Sequence, residues 1–136
     1  MGLKEKRAIE QCKTEKLNEW TEKVESVCGK KLDWNINWDE LVKEGYTEYY
    51  PGTVDWNFFA PLAESLKSIC ADKLGKDSFT QKINKVNLTS NRSWSSLEVK
   101  IEGDTLHLDA DPSYQRDDTY IADYAGRITA ALEAAL

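Results

Sequence analysis

No stretch of the 136-residue sequence approaches the roughly 20 consecutive apolar residues that a membrane-spanning helix needs. The start, Met1-Gly2-Leu3-Lys4-Glu5-Lys6-Arg7, is basic, but no apolar run follows it, so it does not read as a signal peptide. Gly2 invites a myristoylation reading, yet Lys6 stands where that motif wants Ser or Thr. There is one histidine, and the three cysteines, Cys12, Cys28 and Cys70, are odd in number and widely spaced. None forms a CxxC pair, which argues against a cysteine metal site. Without an export signal they read as reduced thiols in a cytoplasm. The glycosylation-like triplets Asn87-Leu88-Thr89 and Asn91-Arg92-Ser93 then count as coincidences. A basic excess is missing too. The formal net charge is −6, with residues 1–31 at +2 and the rest at −8. An acidic body disfavours nucleic acid and anionic membranes as partners. No P-loop, GxGxxG, GxSxG or HExxH motif, internal repeat, low-complexity tract or linker is present.

What is there describes one folded domain, residues 1–136. The apolar fraction is 40%, the charged fraction 31%, and five tryptophans need a core or an interface to cover them. Residues 3–28 read as a long amphipathic helix with Ile9, Leu17, Trp20, Val24 and Val27 on one stripe, stopped by Gly29. Leu32, Trp34, Ile36 and Trp38 alternate with polar residues as a half-buried strand does, and Asp39 is placed to cap a short turn carrying Leu41 and Val42. A second helix starts near Pro61, buries Phe59, Leu62, Leu66, Ile69 and Cys70, and ends at Gly75. Asp77 or Ser78 caps a third helix, burying Phe79 and Ile83. Residues 85–89 form the next strand.

A hairpin follows. Leu97, Val99 and Ile101 face Ala110, Leu108 and Leu106 across Glu102-Gly103-Asp104-Thr105, and this register puts every apolar side chain on one face. Asp117 and Asp118 cap a last helix with Ile121, Ala125, Ile128 and Leu132 on its buried stripe. The expected fold is α+β: a four-stranded antiparallel sheet with a long N-terminal helix, a central helix pair and a C-terminal helix on one face. The other sheet face stays open to water.

Two clusters stand out as candidate sites. His107, Asp109 and Asp111 alternate along a strand and so project together, and the hairpin register sets Lys100 opposite His107 and Glu98 opposite Asp109. Imidazole with carboxylates suits a divalent metal or acid–base work, although the same pattern is that of an ordinary solvated face. The second cluster is aromatic. Tyr46, Tyr49, Tyr50, Trp56, Phe58 and Phe59 gather around Pro51 and Gly52 as a loop that either presents a binding surface or plugs the end of the core. The cysteines suit helix packing better than nucleophilic chemistry. The narrow seam of the first helix, or a sheet edge, leaves a homodimer open.

Pro61-Leu62-Ala63-Glu64-Ser65-Leu66 through Leu74-Gly75-Lys76, the strand around Val86, and the hairpin Leu97 to Asp109 resemble a group of small bacterial cytoplasmic proteins of unknown function. In that group a Leu-Gly-Lys or Met-Gly-Lys break separates two helices, and a strand and a hairpin follow. The resemblance covers about two-thirds of the chain and implies the fold and a bacterial cytoplasmic setting, but no activity. The expectation is a non-enzymatic binding or interaction module, using the open sheet face or the aromatic segment on a protein or small-molecule partner, with no cofactor. The alternative is a metal-assisted hydrolase or related enzyme built on His107, Asp109, Asp111 and Glu98.

Overall fold

The computed structural model describes residues 2–91, 97–111 and 118–136. Helices α1 (Leu3–Gln11) and α2 (Leu17–Cys28) run on through a π-helical turn, Cys12–Lys16. A π turn holds an extra residue, so it shifts the buried face by about one position. That is why Val24 and Cys28 are sealed while Val27, in phase by simple periodicity, is only half-buried. Gly29 ends α2, as expected. Strand β1 (Asp33–Ile36) leads into α3 (Trp38–Leu41), where Asn37 rather than Asp39 takes the cap position.

The second helical path starts nine residues before Pro61. It comprises α4 (Gly52–Val54), a π turn over Asp55–Phe59, and α5 (Ala60–Ile69). Pro61 is the second residue of α5, directly behind the π turn, inside the continuous helical path. Gly75 does not stop a helix. It lies in the first turn of α6 (Lys73–Lys82), where its N–H donates to Asp72 Oδ1 at 2.7 Å, so Asp72 is the cap instead of Asp77 or Ser78. A Cβ at Gly75 would sit 1.8 Å from the Ile69 carbonyl oxygen. Gly75→Ala is therefore expected to destabilise the fold by about 1–3 kcal/mol through forced backbone movement. Gly126→Ala, in the open on α7, is expected to be neutral or stabilising by up to about 1 kcal/mol. Urea midpoints of the two variants check the contrast.

Strands β2 (Lys85–Thr89), β3 (Glu98–Glu102) and β4 (Thr105–Asp109) complete one sheet, and α7 (Asp118–Ala135) closes the chain. Asp117, expected to cap α7, lies outside the described residues. The strand order is β1-β2-β4-β3, with β1, β2 and β4 parallel and β3 antiparallel to β4. The sheet is thus mixed and mostly parallel, and the expectation of a four-stranded antiparallel sheet is wrong. Alternation of apolar and polar residues reads the same for either direction; the connections decide. The helical segment between β1 and β2 carries the chain back to its starting end, which makes those strands parallel. The hairpin then docks by its second strand. Asn84 and Lys85 N–H groups donate to the Asp104 carbonyl at 2.9 and 3.2 Å, which ties the hairpin turn to the start of β2.

The hairpin itself forms with the expected pairs Ile101–Leu106 and Val99–Leu108, and Gly103 takes the positive φ of 60° that its turn requires. The inward residues Val86, Leu88, Leu106 and Leu108 are fully buried in one cluster with Phe58, Phe59, Leu62, Leu66, Ile128 and Leu132. Phe59 stacks on Trp20 at 5.1 Å and meets Trp34 at 5.2 Å, joining the long helical path, β1 and the π turn. The Lys30 ammonium donates to the carbonyls of Thr80 and Ile83 and to Asn84 Oδ1, satisfying the end of α6.

Two of the three cysteines are not free thiols. Cys28 and Cys70 form a disulfide between the ends of α2 and α5, 42 residues apart. Cys28 follows Trp20 and Val24 on the buried face of α2, which packs on α5, and wide spacing in the sequence concealed the meeting of the two helix ends. Cys12 is free and sealed in the core, where burial pushes its thiol up to about 11. Among the described residues no helix is long and apolar enough to cross a membrane.

Candidate binding face

The outward side chains of the sheet form rows set by register. Asn35, Asn87, His107 and Lys100 make one row, and Thr89, Asp109 and Glu98 another. Their neighbours in the chain, Val86, Leu88, Leu106 and Leu108, are held in the core, so the period of two forces these residues outward. Thr89, Asn91, Glu98, Lys100, Glu102, His107 and Asp109 line a concavity of about 290 Å³. The expected grouping of His107, Asp109, Glu98 and Lys100 therefore appears on one face.

The local chemistry of the face is polar and mutually engaged. Asn87 Nδ2 lies 3.1 Å from His107 Nδ1. The other ring nitrogen, Nε2, faces Glu102 Oε2 at 3.9 Å. Asp109 accepts from the Thr89 hydroxyl at 2.6 Å and from the Asn91 N–H at 3.1 Å on both oxygens. This carboxylate clamps the chain leaving β2. Lys100 Nζ stands 3.5 Å from Glu98 Oε1 and offsets the repulsion between Glu98 and Asp109 across the strands.

Asp111 does not join this face. It lies two residues past the end of β4, where the alternation no longer holds, and it is buried with Oδ1 3.8 Å from Lys43 Nζ. The metal-assisted reading, built on His107, Asp109, Asp111 and Glu98, loses one of its four side chains with it. Among the described residues, no group of three His, Cys, Asp or Glu side chains is placed to hold a metal ion.

The aromatic segment divides. Tyr46 and Tyr49 approach each other at 6.3 Å near the surface, and Tyr49 is exposed. Tyr50 is buried. Its hydroxyl donates to the Leu41 carbonyl and accepts from the Lys43 N–H, and burial pushes it up to about 12. Trp56 is half-buried in the π turn, and Phe58 and Phe59 are core. The segment mainly closes the end of the core.

Thr89, Asn91 and Glu102 line the concavity, and Asn87 stands beside its His107, yet none of the four was read from the sequence as part of a site. The alternation of residues 85–89 does expose Asn87 and Thr89. What was missing was the pairing of β2 with β4, which sets Asn87 beside His107 and Thr89 beside Asp109. No protein-family model, curated protein or solved structure matches the chain, so the expected likeness to a group of small bacterial proteins finds no test in these comparisons.

Proposed function

We propose that the chain is a non-enzymatic binding module that takes a partner on its open sheet face. The observation that carries this reading is the concavity around His107, which the sheet backs and to which, among the described residues, no helix contributes a lining side chain. Function placed on strands is held more rigidly than function on loops. The lining offers Lys100 and the imidazole to an anionic group, and Glu98 and Glu102 to a cationic one, within one small recess. A zwitterionic small molecule, or a protein loop carrying both charges, matches that pattern. The Cys28–Cys70 disulfide favours an oxidising compartment over the cytoplasm expected from the sequence.

The test is an amide NMR titration against a panel of small zwitterionic dipeptides. At least one is expected to shift Asn87, Lys100 and His107 together. His107→Ala is expected to weaken that binding about tenfold or more while changing stability by about 0.5 kcal/mol or less, since the ring is not core. A panel that moves none of these amides removes the reading.

A further inference from the structure

A second cleft opens where the three parallel strands end. β1 runs out into α3, β2 into Ser90, and β4 towards Asp111. The carboxyl ends of parallel strands are the usual place for ligands in open α/β sheets. Here Glu5 from α1, Asp39 and Glu40 from α3, and Glu44 beyond it line a space of about 380 Å³ with Lys43 and Ser90. That volume is within the range of small-molecule sites. Four carboxylates surround it, and the lining cation is already engaged, since Lys43 lies against Asp111.

Two buried polar side chains in this lining lack a partner. Glu5 is only 6% exposed, and its carboxylate has no hydrogen bond or ion pair among the described residues. Ser90 is equally buried, and its Oγ has no hydrogen-bond partner among the described residues. The Ser90 N–H donates to Glu40 Oε1 at 3.3 Å, so the two residues are fixed side by side. A mostly buried carboxylate with no donor of its own calls for a cationic complement with several N–H groups. A bare metal ion does not fit, because the carboxylates are not grouped closely enough to share one. A primary ammonium does: it has three N–H donors and no acceptor.

We propose that this cleft binds a small aliphatic diamine or polyamine. One ammonium pairs with Glu5 and Ser90, the stem crosses Val42, and the second ammonium meets Asp39 and Glu44. This site is separate from the sheet face and stands or falls without it.

Calorimetric titration of the intact chain with putrescine and spermidine, in physiological salt, tests it. Binding with a Kd below about 1 mM is expected. Glu5→Gln and Ser90→Ala should each weaken it about tenfold or more, and Glu22→Gln on the exposed side of α2 should leave it unchanged. Thermal melts confirm that the variants fold, and two independent variants keep the test decisive should one fail. No heat with either amine overturns the proposal. So does unaltered binding in Glu5→Gln and Ser90→Ala, or displacement of putrescine by equimolar Mg²⁺. Blocked lysine amide binding as tightly as putrescine also overturns it, because a single ammonium would then suffice.

Discussion

Reducing the Cys28–Cys70 disulfide is expected to lower stability by about 4 kcal/mol. The bond spans 42 residues, and closing a loop of that length removes roughly that much chain entropy from the unfolded state. A domain of this size has about 5–15 kcal/mol in total, so the loss is a large fraction. Urea unfolding with and without reductant measures it. The double variant Cys28→Ser/Cys70→Ser should match the reduced protein and ignore reductant. Thiol counting gives an independent check. The native protein should show no reactive thiol, because Cys12 is sealed. Denatured without reductant it should show one, and with reductant three. Three thiols in the denatured, unreduced protein would dispose of the bond.

Phe59→Ala should cost about 3–5 kcal/mol, the usual range for deleting a large core ring. The ring is wholly buried between Trp20 and Trp34, so its loss leaves a cavity lined by two stiff aromatics that collapse poorly. Phe59→Leu keeps most of the volume and should cost far less. Tryptophan fluorescence reports the site directly, because both neighbours are indoles. Equal midpoints for wild type and Phe59→Ala would mean that this three-ring junction is not the centre of the core.

Local features of the fold were legible wherever local rules decide them. The hairpin from Glu98 to Asp109 was readable because a two-residue turn and alternating side chains specify one register between them. Residues 85–89 were readable as a strand for the same reason. Strand direction was not readable, because Val86 and Leu88 point inward whichever way the neighbour runs. The π turns at Cys12–Lys16 and Asp55–Phe59 left no composition signal. Gly75 misled in an instructive way. Glycine ends helices, but here it is needed inside one because a carbonyl of the preceding helix presses on it. Glu98, Lys100, His107 and Asp109 of the candidate polar site came from the hairpin alone. Placing Asn87 and Thr89 beside them required a pairing between segments 20 residues apart. Asp111 was misplaced because alternation was extended past the last residue of β4.

The central position of β2 carries a consequence for how the molecule is made. Its two neighbours lie on opposite sides in the chain, β1 far upstream and β4 downstream beyond β3. During synthesis, everything up to Thr89 can emerge with β2 matched on one flank only. The other flank stays bare until the ribosome has delivered Asp109. Such an open border is a template for wrong partners. Nascent chains halted between these two points should therefore be the sticky ones, and release from that state should coincide with the hairpin sliding into place.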